Sequence, residues 1–307
     1  MTLSPWILGA SALGLGVGLR ALARLGFKRA KARRGASRSR LWNHFYSLDW
    51  GETATNNYGF APAEGSSPER FQLQMYREHL KAFLASGGDP AHIRLLEVSC
   101  GRGGGLAHLV ETWPGEIEAV GLDLSAHAIA ACRARFGDRD HLSFVEGSAV
   151  DLPFADASFD IVVNVEASND YGDFPRFFAE VARVLRPGGA LLYCDSRKPE
   201  DVIRVPEAMA AAGLSGRFVD ITENVLRACR LDSERRRPLI DGRAPWFYRV
   251  LLRDEMLSYA AVEGSAKFQA FVEGRRHYVT TCAFKARAAA RTSKTARGLA
   301  PVSQAAG

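Results

Sequence analysis

Short apolar runs and longer amphipathic stretches alternate along the middle of the chain. Residues 93–98, 117–122, 142–145, 159–165 and 190–194 are runs of four to seven positions, mostly apolar and rich in Val, Ile, Leu and Phe. Their length and composition predict strands, and the nearly unbroken run 159–165 fits a strand covered on both faces. Between them, residues 104–112, 125–136 and 174–185 carry the helical pattern, the last stopped by Pro187-Gly188-Gly189. An earlier helix is expected from Ser67, as N-cap with Pro68 in the first turn, to Ser86, with Gly87-Gly88 ending it. Beyond the fifth strand the pattern gives a helix at 199–212, a strand at 217–221, helical stretches between 222 and 271, and a last strand at 277–285. Strands alternating with helices predict βαβ units and a mostly parallel sheet with flanking helices, an α/β fold.

Charge changes the picture at the N-terminus. The chain has 307 residues and a net charge of +6, yet residues 1–48 hold nine basic residues and no acidic one. The remainder is mildly acidic, so the basic balance gives no reason to expect nucleic acid as a partner. Residues 3–19 are uncharged and apolar, and the basic residues follow them. A secretory signal has the opposite order. The order favours a membrane anchor or interfacial helix within residues 3–40, with the domain on the cytosolic side; a transit peptide and a disordered or packed extension are the alternatives. The domain plan is thus an arm over 1–40, a folded domain over 41–285 with cap helices at about 222–272, and a small, polar, disordered tail over 286–307. The five cysteines are scattered without a C-x-x-C pair, which suggests a reducing compartment and no metal site. Nothing in the pattern fixes the oligomeric state.

The chemistry concentrates where the first strand ends. Glu97-Val98-Ser99-Cys100-Gly101-Arg102-Gly103 is a strand end followed by a glycine turn and a helix. Such a turn lets a ligand approach the backbone and offers free N–H groups. Asp123 closes the second strand, where a carboxylate can accept both hydroxyls of a ribose. The dinucleotide pattern G-x-G-x-x-G fails, because its third glycine would fall on Leu106. An acid ahead of the turn is also unsuited to a pyrophosphate and suited to a cationic group. An NAD-dependent oxidoreductase is therefore disfavoured.

These motifs, continued by Gly121-Leu122-Asp123-Leu124-Ser125, Val145-Glu146-Gly147-Ser148-Ala149, Phe159-Asp160-Ile161-Val162-Val163-Asn164 and Leu185-Arg186-Pro187-Gly188-Gly189, resemble those of class I S-adenosylmethionine (SAM)-dependent methyltransferases. A closer similarity is to the phthiotriol/phenolphthiotriol dimycocerosate methyltransferases. It rests on Ser99 within the first motif and on Asn164-Val165-Glu166-Ala167-Ser168. The resemblance implies a Rossmann-like seven-stranded sheet, SAM as the methyl donor, and a lipophilic small-molecule acceptor methylated on a hydroxyl, such as a polyketide, lipid alcohol or quinol of secondary metabolism. It implies further that Glu97, Ser99, Gly101 and Gly103 line the methionine part of SAM and that Asn164 closes that end. Asp123 would hold the ribose, Leu124 would lie against the adenine, and Ser148 and Ala149 would sit at its edge. C-methylation of a quinone or isoprenoid, and SAM binding without turnover, are the alternatives.

Two departures bear on catalysis. Ser148 stands where the family often has Asp, and Asn169 where related lipid and quinone enzymes often have His. Asn cannot act as a base near neutrality. Glu166 and Asn169 are the candidate acceptor-side residues. Asp170, Asp173, His44 and His277 are the other possible bases. Tyr58 is expected as a lid over the cofactor, and Arg235-Arg236-Arg237 as a solvated helix face.

Overall fold

The computed structural model describes residues 18–26, 29, 36–137 and 141–287. Residues 18–26 are helical. The helices that follow are α1 (Ala36–Ser47), α2 (Arg70–Ala85), α3 (Gly104–Thr112), α4 (Ala126–Phe136), α5 (Phe174–Val184) and α6 (Pro199–Ala211). Then come α7 (Thr222–Arg243), α8 (Trp246–Leu251), α9 (Arg253–Tyr259) and α10 (Ala266–Val272). The strands are β1 (His92–Val98), β2 (Glu116–Asp123), β3 (Leu142–Glu146), β4 (Phe159–Val165), β5 (Leu185–Arg197), β6 (Leu214–Ser215), β7 (Val219–Asp220) and β8 (His277–Lys285).

One sheet holds all eight strands in the order β3-β2-β1-β4-β5-β8-β6, with β7 also paired to β8. The two short strands β6 and β7 both pair with β8, so the sheet has seven positions and eight strands. Strands β1 to β5 pair in parallel, and β8 pairs antiparallel to β5. Pro187-Gly188-Gly189 lies inside β5, where the register with β4 shifts between Phe159 and Ile161. The expected helix stop therefore doubles as an irregular strand start.

Successive strand residues point to opposite faces. Leu95, Ala119, Ile161, Val163 and Leu192 face one core with Met75, Phe83, Leu106 and Ile129 from α2, α3 and α4. Leu96, Val98, Val120, Val162 and Leu191 face the other core with Phe177, Val181, Val205 and Met209 from α5 and α6. A smaller core of Trp50, Ile240, Met256, Leu257 and Val262 holds α7 and α9 together beside the main body. Because β1 has β2 on one side and β4 on the other, the chain reverses its winding there. Ligands of open α/β sheets bind in the crevice beyond the strand ends at such a switch point.

No helix among the described residues is long and apolar enough to cross a membrane. The apolar run of the arm up to residue 17 and the tail from 288 onward lie outside the described residues.

Candidate active site

The chain leaves β1 through a tight turn. Ser99, Gly101 and Gly103 all have positive φ, at 63°, 55° and 76°. A side chain pays for that conformation, and only Ser99 has one. Its hydroxyl lies 2.6 Å from the Tyr171 hydroxyl, which fixes it. A Cβ at Gly101 would come within 2.8 Å of the Tyr46 hydroxyl, so glycine is needed there for space as well as for φ. Asp123, at the end of β2, accepts from the Gly101 N–H at 3.0 Å and from the Ser125 N–H at 2.9 Å. Burial lifts its carboxyl to about 6 against the pull of the Ser125, Gly101 and Leu124 N–H groups.

Glu97 and Asn164 sit on neighbouring strands just below the turn, and both are buried. One Glu97 oxygen accepts from the Tyr76 hydroxyl at 2.8 Å, while Oε2 has no partner. The Asn164 amide donates to the Val98 carbonyl and the Tyr171 hydroxyl, both at 2.9 Å, while Oδ1, like Glu97 Oε2, has no partner among the described residues. Burial pushes the Glu97 carboxyl to about 8, with Tyr76 opposing the shift and Asp123 adding to it. Native proteins rarely bury acceptors without partners. Two orphaned acceptors near one strand end suit a cationic, multiply donating group such as an ammonium.

A cavity of about 1510 Å³ opens over this turn. Ordinary small-molecule pockets occupy roughly 300–1,000 Å³, so there is room for a cofactor and a second substrate. Ser99, Gly101, Asp123, Leu124, Ser148, Ala149, Glu166 and Asn169 line it. Glu97 and Asn164 lie behind that wall, and Gly103 faces inward, where a Cβ would strike Cys132 and Phe144. Much of the remaining wall is aromatic, formed by Trp42, Phe45 and Tyr46 of α1 with Trp50, Tyr58 and Tyr259.

The part of the site expected to meet the acceptor is built around two acids, Glu166 and Asp195. Glu166 has φ 55° and takes hydrogen bonds from the Tyr58 N–H at 2.8 Å and the Tyr278 hydroxyl at 3.1 Å. Burial raises its carboxyl to about 8, the Tyr58 N–H opposes this, and Asp195 adds to it. The Asn169 side chain donates to Asp195 at 2.6 Å, and its backbone N–H does so at 2.7 Å. Asp195 is itself buried with Arg197, 3.3 Å away, and Ser168, which donates to it at 2.7 Å. The amide of Asn169 is thus held fast beside the cavity.

Asp170 and Asp173 also line the cavity. His44 and His277 do not: His44 pairs with the Tyr248 hydroxyl and His277 with Asp220, both at 2.8 Å. Tyr58 lines the cavity but packs its ring edge-on to Phe271 and Tyr278. The place directly against the glycine turn belongs to Tyr46 instead. The triple arginine is not a uniformly solvated face. Arg236 is buried and donates to Asp232 at 2.7 Å and to the carbonyls of Tyr58 at 2.8 Å and Ala260 at 2.5 Å, joining the N-terminal segment to the cap. Tyr46, Tyr76, Tyr171, Asp195 and Arg236 have no local sequence signal, because each acts on a partner distant in the chain.

The family described as "Methyltransferase domain" matches residues 96–193. A phthiotriol/phenolphthiotriol dimycocerosates methyltransferase of Mycobacterium tuberculosis is 36% identical over 262 residues, covering 80% of this chain and 92% of the relative. A fatty-acid O-methyltransferase of Mycolicibacterium smegmatis is 37% identical over 215 residues, covering 69% of this chain and 74% of the relative. Among solved structures, the cyclopropane synthase MmaA2 of Mycobacterium tuberculosis shares the fold at a TM-score of 0.60 and 18% identity, with 78% of this chain and 93% of that one covered. The chain is a SAM-dependent methyltransferase and belongs to the family that includes the phthiotriol/phenolphthiotriol dimycocerosates methyltransferases.

Proposed function

We propose that this enzyme methylates a hydroxyl oxygen of a lipophilic acceptor, a polyketide or lipid alcohol of secondary metabolism, on the cytosolic side of a membrane. The observation that carries the reading is the continuous cavity that joins the glycine turn to an aromatic chamber with Glu166 in its wall. From behind its wall, Glu97 and Asn164 offer their free oxygens to the ammonium of SAM. Asp123 takes the ribose hydroxyls, Ser99 and Gly101 flank the methionine part, and Leu124, Ser148 and Ala149 border the adenine. The sulfonium of SAM supplies an already activated methyl group.

What remains for the protein is placement and one proton. Holding the acceptor oxygen in line at near-attack distance contributes roughly 7–11 kcal/mol. Glu166, deprotonated, takes the hydroxyl proton, which accelerates transfer by about 10²–10⁴-fold. Asn169, clamped by Asp195, orients the acceptor oxygen. A second reading, methylation of a fatty-acid carboxylate, draws on the relative named for that activity and on Lys198 and Lys267 in the wall.

The experiment uses methyl-labelled SAM, the purified protein and an extract of its source, followed by partition into organic solvent. Organic label that survives mild alkali supports an ether or a C-methyl product, which mass spectrometry of the product separates, and only the ether supports the proposal. Alkali-labile label identifies an ester and favours the second reading. Label confined to water contradicts both.

A further inference from the structure

The cavity wall includes Arg24, Asp254, Glu255 and Met256, at the end away from the sheet. Arg24 belongs to the helical residues 18–26, which are fastened to the cap. Arg20 donates to the Val250 carbonyl at 3.1 Å, and Arg24 reaches Asp254 at 2.5 Å and Glu255 at 2.9 Å. Two arginines four residues apart share one helix face, so that face is turned to α8 and α9. Leu19, Leu22 and Leu25, at three-residue spacing, are left exposed, Leu22 at 68%. On α8, Trp246 is 69% and Val250 50% exposed, and Phe247 beside them is exposed too. The Arg20–Val250 bond brings the two rows within the reach of one arginine side chain. Scattered apolar residues are ordinary on a protein surface, but two adjoining rows that include a tryptophan mark an interaction site.

We propose that Leu19, Leu22, Leu25, Trp246, Phe247 and Val250 form a docking face for an anionic lipid surface. Charge selects this occupant. The first 48 residues carry nine basic side chains and no acid, and the nearby acids Asp254 and Glu255 are both engaged by Arg24. Tryptophan is suited to the boundary between headgroups and acyl chains, where its ring is half apolar and its N–H stays hydrated. Docking in this orientation sets the cap end of the cavity at the bilayer, so an acceptor can enter without crossing water. This last step rests on the lipophilic-acceptor reading; the docking face does not.

The test is co-sedimentation of the full-length protein with phosphatidylcholine vesicles, with and without phosphatidylglycerol. Wild type is expected to bind the anionic vesicles preferentially. The triple change Trp246→Ser, Phe247→Ser, Val250→Ser is expected to weaken that binding roughly tenfold or more, with SAM affinity unchanged as the control for folding. Unchanged vesicle binding in the variant would overturn the proposal, since the arm alone would then account for attachment. So would a protein that ignores both vesicle types but forms a dimer broken by the same change. Vesicle binding without any lipid-phase methyl product would sink the acceptor reading and leave the docking face intact.

Discussion

Glu97 is the residue whose state most directly reports cofactor binding. Burial holds its carboxyl at about 8, so at pH 7 the proton is mostly on. An ammonium beside it favours the carboxylate, and binding must then expel the proton. Below pH 8 the affinity for SAM therefore rises with pH, by up to about tenfold per unit for one linked proton, and it levels off above. Titrating SAM into wild type and Glu97→Gln across this range should show a steeper slope in the wild type; equal slopes would remove the ammonium assignment. Glu166 has the same elevated range and a different task. Its base form grows through pH 8, so kcat should climb through that region and flatten above it. In Glu166→Gln, kcat should fall about 10²–10⁴-fold and the rising limb should vanish. A variant with an unaltered pH profile would assign the proton to water or to another group. Both residues stand out in the sequence through the motifs that contain them. The shifts themselves are not legible, because burial causes them and burial is a property of the tertiary fold; even the hydrogen-bond partners that oppose them, Tyr76, Tyr58 and Tyr278, lie 21, 108 and 112 residues away in the chain.

At the scale of elements, the strands are legible because apolar runs this short, closed off by turn residues, suit a buried strand better than a buried helix. The observed β4 and β8 carry the expected bounds, and β1, β2 and β3 differ by one residue at their ends. The helix expected from Ser67 starts about one turn later. It opens at Arg70, after a turn in which Ser67 Oγ accepts from the Glu69 N–H at 3.2 Å, while the Glu69 side chain accepts from the Ala54 and Thr55 N–H groups at 2.9 and 3.1 Å. That contact ties the N-terminal segment over the glycine turn. The packing of α2 on α3 is similarly tight: a Cβ at Gly105 would lie 1.9 Å from the Tyr76 ring. Gly105→Ala should therefore cost about 1–3 kcal/mol in urea unfolding through overpacking. It should also weaken SAM binding by displacing the partner of Glu97. Full stability together with native affinity would show that α3 shifts freely.

In the proposed reading the whole molecule divides its labour between a sheet that holds the cofactor and a cap that holds the acceptor. The candidate residues of the first half stand out in the sequence, since they follow strand ends at short, regular spacing. The second half is not legible in that way, because residues from α1, α7, α9 and α10 meet only through the tertiary fold, with buried Arg236 as one of the ties between them. The central claim is that this composite chamber receives a long apolar alcohol. The most direct measurement is kcat/KM over a series of alcohols of increasing alkyl length. Each buried methylene contributes about 0.8 kcal/mol, so kcat/KM should rise roughly fourfold per methylene until the chamber is full. A series that is flat, or that falls with length, would contradict the account.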